Sequence, residues 1–239
     1  LMFKLSGTKQ LRLSDGSLIK YELIKKSRRS IGIKITPKGL VVYSPLLMTK
    51  YRIDQLLQTK SKWIQKKLLL TINDETPFEI KNSSKFKIFN KEIVIILKAG
   101  INNISINEER CFINFINLSD DTKLKKFFLV WIKEYALKYF TKRVIDLCKE
   151  NNLNVRATLI SNAKTRWGTC NTRNEIRLNW RLIQSPHYVI DYVICHELSH
   201  LKYMNHSSNF WQQVQLLFPE YKKAEFYLKE NGFKLYRLD

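Results

Sequence analysis

His196-Glu197-Leu198-Ser199-His200 decides the reading of this chain. Two histidines four apart on a helix share one face, with Cβ atoms roughly 5–6 Å apart. That spacing lets two imidazoles converge on one Zn²⁺, and leaves the intervening Glu197 free to act on a zinc-bound water. A catalytic zinc takes three protein ligands and keeps one position open. A straight helix cannot bring a third side chain to the same ion. His206 lies six residues past His200, and three of the four histidines in the chain fall between 196 and 206. If the helix ends near Tyr203, a turn at Met204-Asn205 returns His206 to the ion, Asn being tolerant of the left-handed conformation. Glu220 and Glu225 are the alternative third ligands. Glu197 is then the expected general base, taking a proton from water whose pKa the metal lowers to about 7 and passing it to the leaving group.

Working outward, the motif helix starts at Ser185, a good N-cap, with Pro186 at the first helical position. Strands are expected at 155–161, 165–170 and 175–183, the last two joined by Asn171-Thr172-Arg173-Asn174. This hairpin stands just before the motif helix. Its edge could bind an extended peptide, with Gly168 permitting close backbone approach. Its arginines, Arg166, Arg173 and Arg177, could instead meet phosphate oxygens, as could Arg181. Trp167, Trp180 and Trp211 read as core. His187, in the first turn of the helix, reads as a surface histidine. Upstream, Asp120-Asp121 opens a long helical pattern to about Glu150, where Asn151-Asn152 ends it. Downstream, helices start near Ser207-Ser208 and span about Glu220 to Glu230, with Asn231-Gly232 as a stop.

The first half is different. Leu18–Ile24, Ile31–Ile35 and Leu40–Ser44 alternate like strands, with turns at Ser14-Asp15-Gly16 and Pro37-Lys38-Gly39. Thr49 caps a helix expected to run to about Leu70. Residues 71–85 read as a linker, and 86–118 return to strand-like alternation. No internal repeat is evident. The pattern predicts a β-rich region with one helix over 1–119 and an α+β metallohydrolase domain over 120–239.

Composition bounds the rest. The chain has 239 residues and is 44% hydrophobic, enough for a packed core. It lacks the run of about 18 apolar residues that a membrane helix needs. Leu1-Met-Phe-Lys-Leu shows no signal-peptide core, so a cytoplasmic location is expected. Cys111, Cys148, Cys170 and Cys195 form no C-x-x-C pair, which argues for reduced thiols. The net charge is +21. Residues 1–50 hold 11 Lys and Arg against 2 acids. Such a field suits polyanions, including nucleic acid, although no nucleic-acid motif accompanies it.

Arg166-Trp-Gly-Thr-Cys, Asn179-Trp-Arg-Leu-Ile, His196-Glu-Leu-Ser-His and Asn205-His-Ser-Ser-Asn-Phe-Trp together resemble the YgjP-like metal-dependent hydrolases, relatives of the SprT-like and M48 zinc peptidases. Arg28-Arg29-Ser30 and Trp63-Ile64 extend the likeness toward the N-terminus. The resemblance implies a zincin-type fold, in which a small mixed sheet packs on the metal-bearing helix. It implies His196, His200 and His206 as ligands and Glu197 as the catalytic residue, the same four chosen from spacing. Tyr203 stands where metzincins have Gly, and no Met-turn follows, so a metzincin assignment fits poorly. The family is named for peptidases, yet some members are described as nucleoside triphosphate pyrophosphatases acting on UTP. Peptide and nucleotide substrates therefore both stand as expectations. A basic nucleic-acid-binding protein with a structural zinc is the third, and Glu197 argues against it.

Overall fold

A computed structural model describes residues 6–13, 16–36, 39–72 and 78–238. The chain forms two compact units, Leu1–Pro77 and Phe78–Asp239. The boundary expected near residue 119 falls inside the second unit. The strands of 85–115 share one continuous core with the helices that follow. Phe86, Ile95 and Ile113 are buried with Phe128 and Ile132, and with Ile190 and Leu198 of the motif helix.

In the first unit, β1 (Ser6–Arg12), β2 (Leu18–Lys26), β3 (Gly32–Thr36) and β4 (Gly39–Pro45) form one sheet in the order β1-β2-β4-β3. β2 and β4 run parallel, and the edge strands pair antiparallel. Alternation puts Ile19, Tyr21, Leu23, Leu40 and Val42 on one face. There they share a core with Ile53, Leu57 and Ile64. Those three come from α1 (Lys50–Thr59) and α2 (Ser61–Ile72). The expected single helix is thus two, broken at Lys60, whose backbone (φ −105°, ψ 10°) leaves helical geometry. Thr49 caps α1 as expected, accepting from the Arg52 amide. The expected turns at Ser14-Asp15 and Pro37-Lys38, and the linker core 73–77, lie outside the described residues. Gly16 and Gly39, which follow the two turns, have φ of +84° and +112°, open to glycine.

The second unit begins with another four-stranded sheet, from β5 (Lys85–Ile88), β6 (Lys91–Ala99), β7 (Asn103–Asn107) and β8 (Arg110–Phe115). Its order, β5-β6-β8-β7, and its parallel central pair repeat those of the first sheet. A helix follows the sheet in both cases. This repeat of topology was not visible in the sequence, because strand order is set by non-local pairing.

α3 (Asp121–Glu150) is capped by Asp120, which accepts from the Lys123 amide at 3.0 Å. It ends at Asn151, and Asn152 takes a positive φ. β9 (Ala157–Ser161), β10 (Gly168–Cys170) and β11 (Glu175–Asn179) form the small mixed sheet in the order β10-β11-β9. The expected strand over 175–183 stops at Asn179. Its continuation, 180–184, is a 3₁₀ helix buried throughout. The motif helix is α4 (His187–Ser199). α5 (Ser208–Leu217) and α6 (Tyr221–Asn231) complete the domain. The fold class is as expected: a small mixed sheet packs against the helix carrying the motif, after a β-rich N-terminal region. All four cysteines are free. Among the described residues no helix is long and apolar enough to cross a membrane.

Three local expectations change. Ser185 does not cap α4. Pro186 holds the cap position in extended geometry, and the Ser185 amide instead closes the 3₁₀ helix on Leu182. Gly232 does not stop α6 by a left-handed turn, since its φ is −55° and a 3₁₀ helix follows. Glycine is needed there because an added Cβ would lie 2.8 Å from the Trp167 ring. His187 is exposed as expected but held, its ring stacked on Phe89 at 4.1 Å and its Nδ1 2.5 Å from the Tyr139 hydroxyl.

Candidate metal centre

α4 ends at Ser199, earlier than the expected Tyr203, yet His200 keeps helical dihedrals (φ −67°, ψ −18°). The four-residue spacing therefore still sets His196 and His200 on one face. Beyond it the chain tightens, with the Lys202 and Tyr203 amides both donating to Ser199 O. The bends at Met204 and Asn205 bring His206 back without a left-handed residue, for Asn205 is not among those of positive φ. Ser207 then caps α5, accepting from the Phe210 amide.

The three histidines meet. Their ligand-capable nitrogens all lie within 4.8 Å of one another. His196 Nε2 and His206 Nε2 are 3.1 Å apart. Two nitrogens bound tetrahedrally at 2.0–2.1 Å sit about 3.3 Å apart, so this separation suits a shared ion. His200 Nδ1 lies 3.0 Å from the Tyr203 carbonyl. A carbonyl only accepts, so Nδ1 carries the proton and the Nε2 lone pair is free to ligate. Burial, and then the electrostatic influence of His200 and His206, push the His196 pKa down to about 4. Burial also lowers that of His200. Both rings are thus neutral at pH 7, the form a metal needs. Phe210 is fully buried beneath all three, at 4.9, 4.5 and 4.6 Å from their centroids. A buried Phe contributes about 1.5–3 kcal/mol, and here it also fixes the rings. Glu220 and Glu225 stand elsewhere: Glu220 pairs with Lys223, and Glu225 accepts from the Tyr192 hydroxyl.

Glu197 is 4% exposed and lines the same cleft, of about 640 Å³. Its Oε2 has no hydrogen-bond partner among the described residues. Burial pushes its pKa up to about 8. The carboxyl lies against Gly168 of β10. A Cβ there would come within 2.7 Å of Glu197 Cγ and 2.8 Å of Cδ. Gly168 was expected to admit a substrate backbone; it admits Glu197 first. Gly168→Ala should displace the carboxylate and lower kcat/KM about 100-fold, the scale of a 1 Å misplacement. Metal content should stay at the wild-type level, which atomic emission spectroscopy checks.

The raised Glu197 pKa has a stability consequence in chelator-treated protein. The folded carboxyl keeps a proton that the unfolded chain releases near pH 4.5. Between about pH 4.5 and 8 the folded state therefore binds more protons, and stability falls as pH rises. Glu197→Gln removes that dependence. Its Tm advantage over wild type should widen from pH 5 to pH 8, read by thermal melts.

The cleft is also lined by Thr165–Cys170, one edge of the small sheet, and by Tyr192, Val193, Met204 and Leu228. Of the arginines, Arg166 lines it, while Arg173 and Arg177 do not. Arg177 faces away from the core that holds its neighbours Ile176 and Leu178. Arg181 is buried, its guanidinium between Trp180 (4.6 Å) and Tyr236 (4.8 Å). It donates to Asn179 and Asn162. Asn179 in turn donates to the Ala163 and Arg166 carbonyls, fixing the approach to β10. Of the tryptophans, Trp180 is core, whereas Trp167 and Trp211 are partly buried. Trp211 packs 5.8 Å from His196.

A histidine trio fit to hold a divalent cation, beside a buried carboxylate, defines a metal-dependent hydrolase. The profile described as "YgjP-like, metallopeptidase domain" matches residues 29–231, and the chain belongs to that family. Family membership implies a divalent metal. Two solved structures are similar to part of it. The metallopeptidase zymogen abylysin of Pyrococcus abyssi is 22% identical over 37% of this chain and 90% of its own, with a TM-score of 0.35. The metallopeptidase zymogen jannalysin of Methanocaldococcus jannaschii is 21% identical over 38% of this chain and 95% of its own, also with a TM-score of 0.35. No curated protein matches.

Proposed function

We propose that the chain is a zinc-dependent peptidase, with His196, His200 and His206 as the ligands and Glu197 as the general base. Neutral imidazoles suit zinc. When bound, the ion supplies Lewis acidity toward water and the scissile carbonyl. The observation that carries the peptide reading is the edge of β10. Among the described residues β10 pairs on one side only, with β11, and residues 165–170 line the cleft consecutively beside Glu197. An extended peptide can add to that edge as a further strand, which lays its backbone past Glu197. The ionised form of Glu197, favoured beside a cation, accepts the proton of the attacking water. It then returns the proton to the leaving nitrogen. Among the described residues no protein donor occupies Oε2, so that oxygen is available to both transfers.

The second reading is hydrolysis of a nucleoside triphosphate such as UTP. Arg166 at the cleft supports it. One arginine matches one phosphate group, and with Arg173 and Arg177 outside the lining a triphosphate finds less here than a peptide backbone does. The test incubates metal-loaded protein with unfolded casein and, separately, with a nucleotide panel. Casein cleavage lost in Glu197→Gln is expected. Pyrophosphate release from a nucleotide, lost in Glu197→Gln, with casein intact, would overturn the peptidase reading.

A further inference from the structure

We infer that the open face of the first unit's sheet binds single-stranded nucleic acid, independently of the metal cleft. α1 and α2 share the core of Ile19, Tyr21, Leu23, Leu40 and Val42. The alternate residues form the other face. Register places Ile24 beside Tyr43, Tyr43 opposite Gly32, and Val41 opposite Lys34. Lys20 and Lys26 belong to the same set on β2. Lys26 Nζ stands 4.9 Å from the Tyr43 ring centre, and the Arg28 guanidinium stands 5.9 Å away. Arg28 reaches there by lying over Gly32, 2.8 Å from where a Cβ would be. The same face carries a groove of about 600 Å³, lined in part by Thr8, Lys20, Thr36 and Val41.

The charge is one-sided. Lys20, Lys26, Arg28 and Lys34 face a single acid, Glu22, and none of the four is ion-paired among the described residues. Residues 1–77 hold 16 Lys and Arg against five acids. Two cations beside one aromatic ring, with Lys20 and Lys34 on the same open sheet face, match a strand of phosphates with unstacked bases. A duplex hides the base faces that Tyr43 would stack on. An anionic bilayer would also satisfy the cations, and the vesicle arm of the test separates it from a strand.

The test is fluorescence anisotropy of the metal-loaded, full-length protein with fluorescein-labelled oligo(dT) and oligo(U), from low to high KCl. Binding should weaken with salt, with a log–log slope of about −0.7 per phosphate contacted. The double variant Lys26→Ala/Arg28→Ala should bind at least ~10-fold more weakly, with the slope reduced by about 1.4. Tyr43→Leu should lose about 5–10-fold with the slope unchanged, and Tyr43→Phe should keep affinity. Circular dichroism melts confirm that each variant folds. No saturable binding at low salt would overturn the assignment. So would wild-type affinity in both loss variants, or preference for a duplex or for phosphatidylserine vesicles.

Discussion

Glu197→Gln should lower kcat by about 10²–10⁴-fold, the usual contribution of a positioned acid–base group, while the protein keeps its full metal content. Gln matches Glu in shape, so the close packing against Gly168 survives. What it loses is proton affinity. A carboxylate can take a proton from water and release it to a leaving group; a carboxamide cannot. The buried setting sharpens the effect, because Glu197 is 4% exposed and solvent cannot replace it. Parallel measurement of turnover and metal content checks this. Activity within a few-fold of wild type would move the base elsewhere.

His200→Ala should separate coordination from proton transfer. The His200 ring is oriented by the Tyr203 carbonyl and supported by Phe210 at 4.5 Å. Its loss leaves His196 and His206 as a two-nitrogen site. Losing even an outer-shell partner of a metal ligand costs 10–100-fold in affinity, so loss of the ligand itself should cost more than about 100-fold. After dialysis the variant should hold background metal and show background activity. The melt of chelator-treated protein should change little, since His200 is not part of the apolar core. Full metal occupancy in His200→Ala would refute its place in the trio.

What the sequence made legible was local. His196 and His200 share a face because helices repeat every 3.6 residues, and Asp120, Thr49 and Ser207 act within one turn of their own positions. His206 was within reach because only six residues separate it from His200. What stayed hidden depends on distant partners. Strand alternation marked 86–118 as β but could not say that Phe86 and Ile95 pack with Phe128. The matching order of the two four-stranded sheets rests on pairings such as Tyr21 with Leu40, invisible to periodicity. Arg181 looked like a cleft arginine, yet Tyr236, 55 residues away, closes over it. The stretch 180–183 resembled strand because a 3₁₀ turn buried on every side shows no exposed face to set its period. Gly168 was noticed for its small size, but the group it makes room for sits on another element.

The most direct test of the central claim is anomalous diffraction at the zinc edge from crystals grown with zinc. One ion is expected, bound by Nε2 of His196, His200 and His206 at 2.0–2.1 Å, with Glu197 alongside and not a ligand. A site without zinc, or an ion held by Glu220 or Glu225 in place of His206, would contradict it.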